Sequence, residues 1–438
     1  MTLSPELIGI LGFLAMFVLL AIGIHIGVSL GMVGLIGCGI MLGFSRSISL
    51  LVTTPYYVVA DYNFIVLPMF ILMGEMAFQG GIGILLYRAA SKWLGRLHGG
   101  LAMATTAASA ALGAITGSSL AATATFGKMA LPEMRRHNYD DSLSAGVVAA
   151  SGTLAVMIPP SGIMVLYTIL APVSLGKLMI AGVIPGFISA FIYMVMIYTR
   201  VRLNPQLGPR STEMVSWKDR FASIRWLTPV LIVMLAMLGG IYVGIFSPIE
   251  AGAVGAFTVF LVVMARRSLS LSQLMSTLVN TVRASAMIGL VIVGAMVFGR
   301  FLMLTELPDA LTVFVSSLQI SPVAILCVVL AIYIVLGCIM DVPAMIVITV
   351  PIFYPVLHGL GLDDIWVAIL IIKIVEIAAV TPPIGLNVYV LKGVVGDDVT
   401  VGSIFRGIIP FFIMDVLTLV LLVAVPQIAL WLPSTMFD

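Results

Sequence analysis

Two proline pairs interrupt long apolar runs of this chain, and the second pair follows the first at a fixed distance. The pairs are Pro159-Pro160 and Pro382-Pro383, which lie 223 residues apart. At the same offset, nine of the 34 positions from 132 to 165 are identical to their counterparts. Proline removes a backbone donor and interrupts a helix. The sequence therefore predicts a doubled unit, each copy of which contains one broken helix.

The composition places these breaks inside a membrane. Of the 438 residues, 61% are hydrophobic and 9% are charged, and the mean hydropathy is +1.21. These values predict an all-α polytopic membrane protein, because too few charged residues remain to cover a soluble protein of this size. A net charge of +2 gives no indication of nucleic acid binding. The cysteines, Cys38, Cys327 and Cys338, lie in apolar runs without metal-ligand spacing, so neither a disulfide nor a zinc site is expected.

Apolar stretches define the predicted spans. They lie at about 7–24, 26–44, 63–80 and 178–199 in the first half, and at 226–246, 249–265, 284–300 and 405–425 in the second. Because no cleavable signal is apparent, the first stretch is expected to be a retained span. The longer stretches 99–134 and 320–357 are polar at their middles, which indicates two re-entrant hairpins. Such a hairpin leaves five true spans in each copy, and an odd number makes the second copy inverted.

We therefore predict two inverted repeats with a loop between them. The first repeat covers 1–200, with scaffold spans at 1–62, an arm helix at 81–98, a hairpin at 99–134 and a broken helix at 142–170. A basic cytoplasmic loop covers 201–225. The second repeat covers 226–438, with an arm helix at 301–318, a hairpin at 320–357 and a broken helix at 364–391. Repeats with broken helices are typical of secondary transporters.

Basic residues predict the orientation, since they collect on cytoplasmic loops. The loop 201–225 and its edge are rich in them: Arg200, Arg202, Arg210, Lys218, Arg220 and Arg225. Arg88, Lys92 and Arg96 recur every four residues, which predicts an amphipathic helix at the cytoplasmic surface. The counterpart at 301–318 has no Lys or Arg. Both termini are therefore predicted to be periplasmic.

The interruptions supply polar groups at membrane depth. The helix that begins after Gly117 points its positive end at the protein centre and can hold a carboxylate. Carbonyls released before Pro159 suit Na⁺, together with the hydroxyls of Thr116 and Ser118. The alternative is a kinked helix whose Ser and Thr side chains bond to their own backbone.

Charged residues in the apolar runs are further candidates. Asp341, the counterpart of Ser118, either balances a bound cation or accepts hydrogen bonds from neighbouring N–H groups. Lys373 and Glu376 are three residues apart and are expected to pair with each other. Four others lie near predicted span ends and are expected to snorkel or to be interfacial: Glu75, Lys128, Arg300 and Asp415.

The stretches around Thr116-Gly117-Ser118, Pro159-Pro160 and Pro382-Pro383 resemble the large membrane subunit of tripartite ATP-independent periplasmic (TRAP) transporters. The likeness covers essentially the whole chain. It implies a sodium-driven importer of organic acids with an elevator-type fold, in which a scaffold holds a mobile transport domain. It also implies a small four-span membrane subunit and a periplasmic substrate-binding protein as partners, in a bacterial inner membrane. Neither enzymatic activity nor an organic cofactor is expected.

The resemblance also implies site residues. The first sodium site is predicted at Thr116, Ser118, Ala155, Ile158 and Pro160. The second, placed by the 223-residue offset, is predicted at Gly337, Asp341, Ala378, Thr381 and Pro383. The predicted substrate contacts are Ser119, Ser161 and Asn387. The family often has Gly at the position of Ala155, so backbone packing is expected to differ there.

Two other functions remain open at this point. One is a self-sufficient sodium–carboxylate symporter that needs no binding protein. The other is an ion-translocating subunit of a membrane decarboxylase, which would couple to a soluble catalytic chain. The sequence does not distinguish C4-dicarboxylate, sialic acid or a similar carboxylate as the substrate.

Overall fold

The computed structural model describes residues 4–210, 215–383 and 385–436. Every regular element in these ranges is a helix. The first half contains α1 (Pro5–Ala21), α2 (Ile26–Leu42), α3 (Phe44–Ala60), α4 (Val66–Gln79), α5 (Ile82–Leu94), α6 (Gly100–Thr116), α7 (Ser119–Arg136), α8 (Asp141–Met157), α9 (Gly162–Leu170) and α10 (Leu175–Leu203). A short helix, α11 (Trp217–Ser223), lies within the predicted basic loop, of which residues 211–214 are outside the described ranges.

The second half begins with α12 (Thr228–Met234), which continues through a π-helical turn into α13 (Gly240–Tyr242). It then contains α14 (Pro248–Ala265), α15 (Leu271–Leu304), α16 (Leu307–Ser317), α17 (Pro322–Gly337), α18 (Val342–Gly359), α19 (Asp364–Ala378), α20 (Leu386–Val395), α21 (Val401–Ala424) and α22 (Gln427–Leu430). Several of these helices are long and apolar enough to cross a membrane, including α10, α15 and α21. The chain is an all-α polytopic membrane protein.

Helices of the first half recur in the second half 223 residues later, the offset seen in the sequence. Adding 223 to the bounds of α7 gives 342–359, which are the bounds of α18. The same addition to α2 gives 249–265, and α14 covers 248–265. Both proline pairs are cis, at Pro159-Pro160 and at Pro382-Pro383. The order of helices is therefore repeated, while the inverted orientation of the second copy and the division into domains stay predictions.

Four interruptions divide the predicted hairpins and broken helices, and we name them for use below. The first tip (residues 117–118) separates α6 from α7, and the second tip (residues 338–341) separates α17 from α18. The first break (residues 158–161) separates α8 from α9, with a bend of 46°. The second break (residues 379–385, of which residue 384 is outside the described ranges) separates α19 from α20.

The structure differs from the sequence prediction before the second hairpin. The predicted span 284–300 is part of α15, a helix of 34 residues that continues to Leu304. As a result, the predicted arm helix 301–318 begins only at Leu307, as α16. The start of α15 is fixed by a capping box, in which Gln273 N–H donates to Ser270 Oγ and Ser270 N–H donates to Gln273 Oε1. The helix α3 was not among the predicted spans.

Close helix crossings depend on glycine. A Cβ on Gly407 of α21 would lie 1.8 Å from the carbonyl oxygen of Ser142 in α8. A Cβ on Gly294 of α15 would lie 2.1 Å from the carbonyl oxygen of Gly27 in α2. Small residues of this kind let backbones approach in a membrane, where packing drives helix association. One group of helices packs around α2, α4, α14 and α15, and another packs around α8, α19 and α21.

Candidate functional site

A cavity of about 370 Å³ lies where the two tips and the two breaks approach each other. Gly117 and Ser118 of the first tip line it, and so does Asp341 of the second tip. The adjoining α4 and α15 complete its walls with residues that include Glu75 and Ile288. The cavity therefore lies between the hairpins and the helices that hold them.

Four helices begin at this cavity. Their first residues all line it: Ser119 of α7, Gly162 of α9, Val342 of α18 and Leu386 of α20. A helix N-terminus exposes backbone N–H groups and carries the equivalent of about half a positive charge. Their convergence favours a bound anion, and a carboxylate can accept hydrogen bonds from such N–H groups.

The first tip packs directly on the first break. Gly117 has φ +56°, and a Cβ at this position would lie 2.8 Å from the carbonyl oxygen of Pro160. Glycine is thus required both for the left-handed backbone and for the close approach. Ser118 follows in an extended conformation, and its hydroxyl accepts a hydrogen bond of 3.3 Å from Ala121 N–H at the start of α7. The capping bond fixes the tip at the start of α7.

The structure brings the members of the first predicted sodium site close together. A Cβ on Gly113 would lie 2.5 Å from Cα of Ala155, so α6 and α8 pack backbone against backbone. The absence of a side chain at Gly113 thus lets the backbone of α6 approach the backbone of α8 at Ala155. Because Pro159 has no N–H, the carbonyl of Ala155 lacks its usual helical hydrogen bond. The hydroxyl of Thr116 is buried and has no hydrogen-bond partner among the described residues. Ile158, the residue after α8, is also buried.

The second predicted site has a related arrangement in which more groups are already bonded. A Cβ on Gly337 would lie 2.2 Å from Cβ of Ala378, the counterpart of Ala155. The Ala378 carbonyl accepts a hydrogen bond of 3.1 Å from Thr381 N–H, and the Thr381 hydroxyl donates to the Ile377 carbonyl at 2.8 Å. A hydroxyl that donates in this way keeps its lone pairs for a cation. Pro383 is exposed.

Asp341 lies at the edge of the second predicted site. Its Oδ1 accepts a hydrogen bond of 3.1 Å from Ala344 N–H, so the side chain caps the N-terminus of α18. The residue is exposed and lines the central cavity as well as a second cavity beside α1 and α2. The structure thus shows the capping role that the sequence left open, and it leaves the role in cation binding as a prediction.

Of the predicted sodium ligands, Thr116, Ser118 and Asp341 are among the described residues that line the central cavity. The others are not among its lining residues and lie in the tips and breaks or in the last turn of the helices before them: Ala155, Ile158, Pro160, Gly337, Ala378, Thr381 and Pro383. Of the predicted substrate contacts, Ser119 and Asn387 line the cavity. Asn387 donates through Nδ2 to the Ala149 carbonyl at 3.1 Å, which ties α20 to α8. Ser161 is fully buried, and its hydroxyl has no hydrogen-bond partner among the described residues.

Sequence reasoning missed one polar residue of the cavity. Glu75 of α4 was assigned to a span end, but it lines the cavity beside Gly74. A Cβ on Gly74 would lie 2.8 Å from the carbonyl oxygen of Thr116, so α4 contacts the end of α6 next to the first tip. The available signal was a lone carboxylate within an apolar run, which is costly in a membrane.

A cluster of buried charges lies beneath the second break. Nζ of Lys373 is 3.2 Å from Oε2 of Glu376, as the sequence predicted. It is also 2.7 Å from Oδ1 of Asp415 on α21, and the hydroxyl of Tyr193 on α10 donates to Oδ2 of Asp415 at 2.6 Å. The prediction that Asp415 is interfacial is therefore wrong, because its side chain is fully buried in this cluster. Charges in such a place need a partner.

A helical membrane protein with repeated broken helices around a central cavity has the architecture of a secondary transporter. Residues 13–428 match the family profile described as tripartite ATP-independent periplasmic transporter, DctM component. The chain belongs to this family of large TRAP permease subunits, which are multi-pass proteins of the inner membrane.

Individual proteins show the same relationship. The chain is 35% identical over 376 residues to the C4-dicarboxylate TRAP transporter large permease protein DctM of Pseudomonas aeruginosa, a match that covers 85% of this chain and 86% of that protein. It is 29% identical to the sialic acid TRAP transporter large permease protein SiaM of Vibrio cholerae, over 85% and 87% of the two chains. The crystal structure of the Alcanivorax borkumensis YdaH transporter shares the fold, with a TM-score of 0.55, 14% identity and coverage of 87% and 88%.

Proposed function

We propose that this chain is the membrane-spanning transport subunit of a sodium-coupled importer of organic acids. The acid is a C4-dicarboxylate, sialic acid or a similar carboxylate, and it binds in the cavity between the tips. The observation that carries the proposal is the convergence of four helix N-termini at that cavity. Both termini of the chain lie in the periplasm in this proposal.

Sodium coupling is supported by the kind of ligands at the tips and breaks. They are carbonyl and hydroxyl oxygens, such as the Ala155 carbonyl and the Thr116 hydroxyl, which suit a hard monovalent cation. The described residues contain no group of three His, Cys, Asp or Glu that would hold a metal ion. Sodium bound behind the cavity wall would add positive charge beside the helix N-termini and so favour the acid.

An elevator movement is supported by the grouping of the helices. The hairpins and broken helices pack around α8, α19 and α21, and this group forms the transport domain. The group around α2, α4, α14 and α15 forms the scaffold. The cavity lies at their boundary, where α4 and α15 face the tips. Movement of the transport domain along these helices would carry the site across the membrane.

Two further proteins complete the proposed system. The family is tripartite, and its large subunit works with a small four-span membrane subunit and a periplasmic substrate-binding protein. The related proteins from Pseudomonas aeruginosa and Vibrio cholerae carry the names of different acids. Much of the selectivity is therefore assigned to the binding protein, which captures the acid before the membrane subunits act.

Reconstitution tests this function. Proteoliposomes containing the chain and its small subunit are supplied with the loaded binding protein, and uptake of the labelled acid is measured. The acid is chosen by thermal stabilisation of the binding protein. We expect uptake only with all three proteins and an inward sodium gradient, and none when choline replaces sodium. Uptake by this chain alone would instead support a self-sufficient symporter, and uptake that ignores sodium would contradict the coupling.

A further inference from the structure

A groove of about 480 Å³ lies along α5, away from the central cavity. The helix bends by 63° from the apolar α4. Ile82, Leu86 and Tyr87 face the protein and are buried, whereas Arg88 is exposed. A helix with one apolar and one basic face that bends away from a span lies at the membrane surface.

The groove carries positive charge that is not used by the transport site. Arg88, Lys92 and Arg96 line it. Glu133 also lines it, but this carboxylate already forms an ion pair with Arg136, in which Oε2 and Nη1 are 3.7 Å apart. Lys92 Nζ lies 4.7 Å from the ring centre of Trp226, which holds the ammonium at the groove wall. The net charge of the lining is therefore positive.

Hydroxyl groups and apolar side chains complete the groove. The hydroxyls of Tyr87 and Ser91 line it side by side, and neither has a further hydrogen-bond partner among the described residues. Tyr87 is 5% exposed. Of two adjoining hydroxyls only one donates to the other, so one O–H is left for an acceptor supplied by a ligand. Ile84 and Met129 form apolar parts of the same wall. The groove thus combines cations, hydroxyl donors and apolar surface at the edge of the membrane.

We propose that this groove binds the phosphate of an anionic phospholipid headgroup. Arg88 and Lys92 neutralise the phosphate, the remaining O–H of the Tyr87–Ser91 pair donates to one of its oxygens, and the apolar wall contacts the first carbons of the acyl chains. Interfacial aromatic residues flank the site, with the Trp93 and Phe221 rings 5.7 Å apart. The counterpart helix α16 has no Lys or Arg, so the site belongs to one copy only.

Lipid binding to the purified full-length chain in neutral detergent tests the proposal. The probes are short-chain phosphatidylglycerol, short-chain phosphatidylcholine and inorganic phosphate, and affinity is read from ligand-dependent thermal stabilisation. We expect binding of phosphatidylglycerol in clear preference to the other two. The double variant Arg88→Gln/Lys92→Gln should lose roughly thirtyfold in that affinity, since each cation at an anionic surface contributes about fivefold.

Matched variants make the test specific. Arg266→Gln/Arg267→Gln removes the same charge elsewhere and should keep the wild-type affinity. Arg88→Lys/Lys92→Arg keeps the charge in the groove and should also bind, which separates loss of charge from misfolding. Equal losses in the two Gln double variants, or no loss in either, would overturn the proposal. Tight binding of inorganic phosphate that depends on Arg88 and Lys92 would overturn the lipid assignment and leave a soluble-anion site.

Discussion

At the scale of single residues, the ammonium of Lys373 lies between two carboxylates in a part of the protein that excludes water. Lys373, Glu376 and Asp415 are all fully buried, and Tyr193 completes the cluster from a third helix. Each charge is costly to remove from water, so the cluster is stable only when complete. It joins α19, just before the second break, to α21 and α10.

Lys373→Met should therefore destabilise the protein by about 3–5 kcal/mol, because it leaves two buried carboxylates without a cation. Thermal unfolding of the purified chain measures this loss. Lys218→Met, at an exposed position, is the control and should leave the unfolding temperature unchanged. The double variant Lys373→Met/Asp415→Leu should recover part of the stability. An unchanged unfolding temperature for Lys373→Met alone would show that the cluster carries no such energy.

Sequence alone could predict only half of this cluster. Lys373 and Glu376 are three residues apart, which places them on one face of a helix. Asp415 lies 42 residues after Lys373 on another helix, and the contact depends on how α19 packs against α21. Periodicity within a helix carries no information about that packing, so Asp415 was assigned to the interface.

At the scale of helices, the packing of α8 against α21 depends on backbone contacts that only glycine permits. α8 of the first half and α21 of the second cross at Gly146 and Gly407, where the backbones of the two helices are in direct contact. The crossing joins the two copies inside the proposed transport domain. Its disruption would move the first break relative to the second.

Gly407→Ala should destabilise the protein by about 1–3 kcal/mol or more, because the added methyl group would lie 1.8 Å from the Ser142 carbonyl oxygen. Gly402→Ala in the same helix is the matched control. No described atom lies within 4 Å of its added methyl group, so it should be neutral or slightly stabilising. Unfolding temperature and membrane expression level distinguish them. Equal behaviour of the two variants would argue against a tight crossing.

The interruptions of the helices were predictable, whereas their meeting point was not. Gly117 and the two proline pairs are local signals that act on the backbone regardless of context. The convergence of the N-termini of α7, α9, α18 and α20 depends on tertiary packing. The length of α15 was also missed, because its first three turns mix polar and apolar residues and do not resemble a membrane span.

At the scale of the whole molecule, the proposed orientation assigns each end of the protein to one side of the membrane. It thereby assigns a side to α5, to α11 and to each end of the two broken helices. Arg135 at the end of α7 contacts Asp398 after α20, with Nη1 and Oδ2 3.0 Å apart. These residues come from different halves of the chain and lie at one end of the protein. The orientation assigns that end to the cytoplasm.

Cysteine labelling in intact spheroplasts tests the orientation. Cys38, Cys327 and Cys338 are first replaced by Ala, and a single cysteine is then introduced by Lys218→Cys or Ser434→Cys, both at exposed positions. A membrane-impermeant maleimide should label position 434 at once and position 218 only after lysis. The opposite pattern would place both termini in the cytoplasm and reverse every assignment of sides.

The central claim is that sodium acts at the tips around the cavity, and the sodium dependence of uptake by Asp341→Asn tests it most directly. Asparagine caps a helix as well as aspartate does, so the bond to Ala344 N–H and the fold of α18 should persist. Only the charge is lost. Unit charges 4 Å apart interact by about 4 kcal/mol at an effective dielectric of 20, so even a quarter of this would raise the sodium requirement about fivefold.

The measurement is the sodium concentration that gives half-maximal acid uptake in proteoliposomes with both partner proteins. It should rise about fivefold or more for Asp341→Asn, and it should also rise for Ser118→Ala at the first tip. Asp309→Asn, an exposed carboxylate on α16, should behave as the wild type. A wild-type sodium response in both tip variants would contradict the account, because neither tip would then take part in sodium binding.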